Sequence, residues 1–283
     1  MLWQRARVLL GTLVSVQIHV PEDRVNNAVS SQTTQAFDHA FDVMAHIGRV
    51  MSAHHPQSDV ARISHAAPGE VLTLDPHTVA VLRSALHWYR ASEGAFDPCQ
   101  AAHHLSRNGL RPGLSDQALG LPHALNQLQV LSANQVRVAQ PMGLDLGGIA
   151  KGYAVDQAIA ALQARGVTCA LVNAGGDLRA IGTRAWPLDV RHAKRSLRDR
   201  QVRALRHCVE GAVATSVAGE HNPEFVPTLR RSRHTPVWQS ATVLAHDCMT
   251  ADVLTKWALQ SSLLCPSLTS TLRQHGAQMW RSR

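Results

Sequence analysis

The sequence predicts an α+β fold, and three observations carry that prediction. Apolar and polar residues alternate through Arg7–Val20, which indicates a half-buried strand. Apolar residues recur at spacings of three and four through Asn26–Met51, which predicts a long amphipathic helix. Two later strands, before residues 147–148 and 175–176, each end in a pair of glycines, where the backbone can turn and approach a ligand closely.

Length and composition indicate a globular protein. The 283 residues, of which 45% are hydrophobic and 17% charged, suffice for one domain spanning 1–283, built as one large unit or as two intertwined lobes. The net charge of +8 favours anionic partners, which include nucleic acid, membrane surfaces, phosphate-bearing cofactors and acidic proteins. The five cysteines are scattered without a CxxC pair, so we expect reduced thiols rather than disulfides or a zinc site.

No targeting segment is expected from the first twenty residues. The apolar stretch there alternates and contains Arg5 and Arg7, unlike the continuous apolar run of a signal peptide. No apolar run reaches the length needed to span a bilayer. The expected location is therefore the cytoplasm.

The remaining elements follow in chain order. Gly11 interrupts the first strand, which suggests a bulge. Residues 100–140 show no strong period, and we expect a loop with one short helix there. Thr250 is the expected N-cap of the last predicted helix, and Asp252 an exposed carboxylate in its first turn. The other predicted elements are a strand and helix in Val71–Ala95, a turn at Gly94–Pro98, a helix over Tyr153–Gln163 ended by Gly166, strands over Cys169–Asn173, Gly211–Ser216 and Trp238–Ala245, surface hairpin strands in the basic region Arg184–Arg233, and a helix over Cys248–Leu259.

The stretch Leu144–Asp156 (LDLGGIAKGYAVD) is the most informative part of the sequence for function. It reads as a strand end, a glycine turn and the start of a helix, whose unpaired N–H groups attract anions. Lys151 adds a cation beside the turn, while the spacing matches neither a Walker A loop nor a GxGxxG fingerprint. Two further stretches, Asn173–Gly182 and Met249–Lys256, accompany it later in the chain.

In this order, the three stretches resemble the ApbE family, flavin transferases that move FMN from FAD onto a protein threonine or serine. The resemblance implies a T-fold-related arrangement of mixed sheets with flanking helices, in which two intertwined lobes hold the flavin site between them. It also implies FAD as substrate, Mg²⁺ as cofactor, release of AMP, and an acceptor flavoprotein with an exposed Thr or Ser. Relatives are often exported lipoproteins, and this chain looks like a version without that leader.

The resemblance assigns roles to particular residues. Magnesium is expected on the Gly148 carbonyl, Asp252 and Thr255, with Lys256 standing where many relatives carry the threonine ligand. His54 stands at the position of an aromatic residue that flanks the flavin, where a plain surface histidine is an equal alternative. The residues implied in flavin binding are Leu10, His54, Ala95, Phe96, Asp97, Asp145, Lys151, Gly175, Gly176 and Thr228.

One departure from the family concerns the base that accepts the acceptor's proton. Residues 225–237 occupy the segment that carries this histidine in relatives, and Pro227 stands in its place. His221 and His234 are the candidate replacements, since a positioned base contributes about 10²–10⁴-fold to such a reaction. The leading function is therefore FMN transfer. The alternatives are an impaired paralogue that carries flavin, and a basic nucleic-acid binder, which is disfavoured because aromatic residues are sparse in the basic region.

Overall fold

The computed structural model describes residues 1–99, 124–140, 142–191, 202–218 and 238–282. Helices and strands are both abundant in these ranges, which confirms the predicted α+β class. The α-helices are α1 (Asn27–Val50), α2 (Asp59–Ser64), α3 (Pro76–Ala91), α4 (Ala150–Ala164), α5 (Cys248–Gln260) and α6 (Pro266–Gln274). The strands are β1 (Leu2–Leu9), β2 (Thr12–His19), β3 (Glu70–Thr73), β4 (Leu128–Val130), β5 (Gln135–Val138), β6 (Ala170–Ala174), β7 (Asp177–Ile181), β8 (Trp186–Arg191), β9 (Val202–Cys208), β10 (Gly211–Val217), β11 (Ser240–Ala245) and β12 (Gln278–Ser282).

A seven-stranded sheet forms the centre of the described structure. Its strand order is β1-β2-β6-β7-β10-β11-β12, and a three-stranded sheet, β3-β5-β4, and a two-stranded sheet, β8-β9, stand beside it. The pairs within the described ranges are antiparallel. Successive side chains of a strand point to opposite faces, so each strand of the large sheet contributes to two layers.

The helices cover one face of the large sheet. Val14, Val16 and Ile18 of β2 are almost fully buried in the main hydrophobic core, which also contains the apolar stripe of α1. The other face carries a smaller apolar cluster beneath the β8–β9 hairpin, in which Trp186 packs with Leu171 and Val213. The long helix α1 packs along α4, and its first turn is capped by Asn26, whose side-chain oxygen accepts from the Val29 N–H at 2.9 Å.

The prediction of one strand through Arg7–Val20 is wrong. The segment is a hairpin, in which β1 and β2 pair as far as Leu9 and Thr12. Leu10 and Gly11 form the turn, with φ angles of 54° and 72°. Positive φ at both central residues is the geometry of a type I′ turn, so two residues reverse the chain without breaking the alternation on either side.

Residues 124–140 also depart from the expected loop and short helix. A 3₁₀ turn at Ala124–Gln127 leads into the β4–β5 hairpin, and β5 pairs with β3 as well. Strands of three and four residues contain too few alternations for a period to stand out. Residues 100–123 lie outside the described ranges.

The expectation of reduced cysteines holds for this structure. All five thiols are free, and Cys169, Cys208 and Cys248 are buried among apolar side chains. Across the described ranges, the helices are too short or too polar to cross a membrane.

Candidate functional site

The first glycine turn leads into α4 and contacts the Gly94–Pro98 turn. The Asp145 carboxylate accepts a hydrogen bond from the Gly147 N–H at 2.8 Å, which fixes the bend before the helix. The backbone N–H of Asp145 donates to the Pro98 carbonyl at 3.1 Å. These contacts bring Asp145 next to the segment that carries Ala95, Phe96 and Asp97.

Gly148 lies in a narrow space between two side chains. A Cβ atom built on it would lie 3.4 Å from Phe96 Cε2 and 3.7 Å from Lys256 Cε. Phe96 itself is only 2% exposed, and its backbone N–H donates to Ser92 Oγ at 2.9 Å. The space above the turn is therefore bounded by an aromatic ring on one side and a lysine stem on the other.

The second glycine turn, Gly175–Gly176, joins β6 to β7 and has the same form as the β1–β2 turn. Both glycines have positive φ, 68° and 112°, and the Asn173 side chain accepts from the Gly176 N–H at 2.9 Å. A Cβ atom on Gly175 would lie 2.5 Å from Thr12 Oγ1, so only glycine allows this approach.

Leu10 lies at the same end of the large sheet as this second glycine turn. The pairing of β2 with β6 places Val14 opposite Ala174, which sets the two hairpin turns side by side. The Leu10 side chain contacts the helix α1, where a Cβ atom on Gly48 would lie 2.9 Å from Leu10 Cδ2. The structure therefore brings Leu10 together with Gly175 and Gly176.

An ion pair connects the two glycine turns. Lys151, in the first turn of α4, lies with its Nζ 3.4 Å from Oδ2 of Asp177, the first residue of β7. The Asp177 carboxylate is 5% exposed and the Lys151 side chain 30%, so the lysine stands at the solvent side of the pair. A lysine at a helix N-terminus, between two glycine turns, is well placed to bind a phosphate group.

Asp252 is fully buried, so the prediction of an exposed carboxylate is wrong. The helix α5 packs against β10, β11 and α4, and the contact with α4 is close enough that a Cβ atom on Gly152 would lie 2.5 Å from the Cys248 carbonyl oxygen. Asp252 Oδ2 accepts from the Gly152 N–H at 3.2 Å, and Oδ1 pairs with the ammonium of Lys256. Burial raises the pKa of Asp252 to about 6, and Asp177 raises it as well, while Lys256 and Lys151 act in the opposite direction.

Thr255 is also buried, and its hydroxyl group already has two partners. It donates to the Asp252 carbonyl at 2.7 Å, one turn earlier in the same helix. Its oxygen lies 2.7 Å from Ser216 Oγ, and since the threonine proton goes to the carbonyl, Ser216 is the donor in this contact. The hydroxyl thus ties α5 to β10.

The predicted magnesium ligands do not suit that ion in this arrangement. Mg²⁺ is coordinated by oxygen atoms in near-octahedral geometry, and the protein must leave room for the ion and for the water or phosphate oxygens that complete its coordination. Here Lys256 Nζ lies against Asp252 Oδ1, the Lys256 stem passes Gly148, and the Thr255 hydroxyl faces its own helix and Ser216. Within the described ranges, no group of three or more His, Cys, Asp or Glu side chains is placed to hold a metal.

Asp156 sets the position of α5, a role that sequence analysis did not predict. Its two carboxylate oxygens accept from the Cys248 and Met249 N–H groups at 2.9 and 2.8 Å, and Arg179 lies 2.8 Å from Oδ1. The predicted N-cap, Thr250, is wrong, because Asp247 is the cap and accepts from the Thr250 N–H at 2.8 Å. Desolvation raises the pKa of Asp156, although the backbone donors and Arg179 favour its ionised form.

The other predicted residues are placed as follows. Asp97 is buried and accepts from the Cys99 N–H at 2.9 Å, and Ala95 is half-buried in the turn before it. His54 is exposed in the loop after α1, where its backbone N–H donates to Ser52 Oγ at 3.1 Å. Three predicted site residues, His221, Thr228 and His234, lie outside the described ranges, and so does Pro227, which stands at the expected histidine position.

Comparison with known proteins identifies relatives of this chain. The model of the ApbE family matches residues 10–262. A protein of Treponema pallidum named FAD:protein FMN transferase is 28% identical over 207 residues, which cover 68% of this chain and 54% of that protein. A Vibrio cholerae protein of the same name is 26% identical over 226 residues, covering 72% of this chain and 66% of that protein. The chain thus spans about half to two thirds of the length of these relatives.

Solved structures support the fold. The flavin transferase ApbE from Vibrio cholerae has a TM-score of 0.78 and 19% sequence identity to this chain, and the match covers 99% of this chain and 93% of that one. The structural match establishes a common fold, in agreement with the architecture expected from the sequence.

Proposed function

The chain belongs to the ApbE family, and from that membership we propose that it transfers FMN from FAD to a threonine or serine of an acceptor flavoprotein, releasing AMP. The observation that carries the proposal is the family match over residues 10–262, which includes all three diagnostic stretches of the sequence. We further propose that residues 1–283 act as a single domain.

The geometry around the two glycine turns supports the binding of a dinucleotide diphosphate. Phosphates bind favourably beside a cation at a helix N-terminus, and Lys151 provides that cation at the start of α4. Phe96 and Leu10 lie close to the two turns and would supply apolar contact to the flavin, with Asp97 and Asp145 as polar partners. Thr228, which lies outside the described ranges, is proposed as a further polar partner from the resemblance alone. His54 is proposed to cover the flavin ring from the loop after α1.

The proposed reaction is a single phosphoryl substitution. The acceptor hydroxyl oxygen bonds to the phosphorus of the FMN half of FAD, and the bond from that phosphorus to the bridging oxygen breaks. The bridging oxygen leaves with AMP, and the hydroxyl proton passes to a base, for which His221 and His234 are the proposed candidates. Such reactions depend chiefly on positioning and on neutralising phosphate charge.

The magnesium ion implied by the resemblance would be held by the Gly148 carbonyl, Asp252 and Thr255, and it would supply positive charge at the pyrophosphate. These residues do not suit the ion in this arrangement, because the ammonium of Lys256 lies against the Asp252 carboxylate. The proposed reaction therefore includes no metal.

Release of AMP tests the proposed function. The protein is incubated with FAD and with an acceptor that the Vibrio cholerae transferase modifies in parallel, and AMP is followed by chromatography. The expected result is AMP formation that depends on the acceptor and stops when its target threonine is replaced by alanine. FAD binding without AMP release would instead favour the flavin-carrier alternative. The nucleic-acid alternative is not favoured by the family match.

A further inference from the structure

Lys256 lies among the residues that are expected to hold a divalent cation. Its side chain, 10% exposed, extends along α5 past Gly148, with Cε and Cγ at 3.7 and 3.8 Å from a Cβ atom built on that glycine. Its ammonium group ends against Asp252 Oδ1. The lysine therefore lies between Gly148 and Asp252, two of the three residues expected to surround a metal.

The oxygen atoms that would bind a metal are engaged in protein contacts. Asp252 uses Oδ1 for Lys256 and Oδ2 for the Gly152 N–H, and the Thr255 hydroxyl contacts the Asp252 carbonyl and Ser216. Each contact joins α5 to itself, to α4 or to β10. A metal would have to break at least one of them to gain a ligand.

The charges of the cluster are already balanced. Asp177 and Asp252 contribute two negative charges, and Lys151 and Lys256 contribute two positive ones at 3.4 Å or closer. A dication at Asp252 would add two positive charges beside the Lys256 ammonium, whose side chain is 10% exposed, and would compete with it for the carboxylate. A buried charge without its partner is strongly destabilising, so the cluster as built selects against the ion.

We propose that the Lys256 ammonium takes the place of a divalent metal ion in this site. Its action on the FAD pyrophosphate rests on the proposed function, whereas its exclusion of the metal does not. A lysine ammonium binds phosphate as a compact point charge, and its covalent attachment to α5 keeps it at the site without a supply of metal. With Lys151, it would give the pyrophosphate two cations on neighbouring helices.

Metal binding tests the inference independently of activity. Mn²⁺, a paramagnetic substitute for Mg²⁺, is titrated into the wild type, Lys256→Thr and Lys256→Met, and bound ion is measured by electron paramagnetic resonance. The wild type should bind no Mn²⁺ at this site up to about 1 mM. Lys256→Thr should bind it, because it removes the ammonium and adds an oxygen, and Lys256→Met should bind it more weakly through Asp252 alone. Arg165→Thr, which removes an exposed cation at the far end of α4, should behave as the wild type.

The wild-type titration decides the question even if a variant fails to fold. Tight Mn²⁺ binding by the wild type that disappears in Asp252→Asn would overturn the inference. A melt followed by circular dichroism identifies variants that do not fold.

Transfer in the presence of excess EDTA tests the role at the pyrophosphate. The wild type should transfer FMN equally fast with EDTA and with Mg²⁺. The transfer rate of Lys256→Thr should fall by about 10–100-fold in EDTA, which corresponds to the loss of one charge-assisted contact. The rate should recover when Mg²⁺ is added. Wild-type transfer that requires Mg²⁺ would contradict the inference. If no transfer occurs while the Mn²⁺ results are as expected, the proposed function fails and the exclusion of metal stands.

Discussion

The Asp156 carboxylate of α4 receives the first backbone N–H of α5, that of Cys248, at 2.9 Å, and the next N–H, that of Met249, at 2.8 Å. Arg179 of β7 binds the same carboxylate at 2.8 Å. One buried side chain thus fixes the relative positions of two helices and a strand. Because α5 carries Asp252 and Lys256 and α4 carries Lys151, this contact sets the distances within the charged cluster.

The first prediction concerns this carboxylate. Asp156→Asn keeps one acceptor but turns an amide toward the second N–H and leaves Arg179 without its ion pair. We expect unfolding free energy to fall by about 1–3 kcal/mol, measured by urea titration. Asp247→Asn is the matched control at the same helix end. It should change the unfolding free energy by only about a few tenths of a kcal/mol, since Asn and Asp cap equally well. Equal losses in both variants would contradict the role given to Asp156.

The second prediction concerns the buried pair of Asp252 and Lys256. Asp252→Ala leaves the ammonium buried without a counter-charge and should lower the unfolding free energy by about 3–5 kcal/mol. The double variant Asp252→Ala/Lys256→Met should recover much of that loss, because no buried charge remains. A double-mutant cycle in urea measures the coupling. If Asp252→Ala is as stable as the wild type, the carboxylate is not the buried partner described here.

The third prediction concerns Lys151 and the choice between FAD and riboflavin. Lys151→Met should weaken FAD binding by about tenfold or more, the value of one charge-assisted contact to phosphate. Riboflavin carries no phosphate, so its affinity should be unchanged in calorimetry. Arg165→Met, at the exposed end of the same helix, serves as the control. Equal affinity of the wild type for FAD and riboflavin would show that the diphosphate makes no contact.

The fourth prediction concerns the catalytic base. If His221 or His234 accepts the hydroxyl proton, its replacement by alanine should slow transfer by about 10²–10⁴-fold while FAD affinity stays constant. If neither histidine acts, the wild type should be slow, and Pro227→His should raise the rate by a factor within the same range of about 10²–10⁴. A fast wild type that stays fast in both alanine variants would rule out both assignments.

The long helices and the second glycine turn were predictable because they rest on local rules. The strand predicted before Gly147 is wrong, since residues 142–146 form neither a helix nor a strand. The period of α1 and the capping side chain of Asn26 are both visible in the sequence, and so are the paired glycines that close the β6–β7 turn. The β1–β2 hairpin was missed because alternation continues through a two-residue reversal at Leu10 and Gly11. The cap of α5 was missed because Asp247 and Thr250, three residues apart, are both good capping residues.

The charged cluster could be predicted only in part. Asp252 and Lys256 stand four residues apart on one helix, a spacing that signals an ion pair. The burial of that pair comes from the approach of α4 at Gly152, which is 100 residues earlier in the sequence. The partners of Asp156 are likewise distant, and neither Ser216 nor Asp177 carries a local signal of its contact across helices and strands.

Covalent labelling of an acceptor tests the central proposal most directly. The protein is incubated with FAD, in EDTA and separately in Mg²⁺, with an acceptor that the Vibrio cholerae transferase labels under the same conditions. The acceptor is then examined by in-gel flavin fluorescence and intact mass. We expect a fluorescent acceptor that has gained one FMN on its threonine or serine, in EDTA as well as in Mg²⁺. An acceptor that stays unlabelled in both conditions, while the Vibrio cholerae transferase labels it fully, would contradict the proposed transfer.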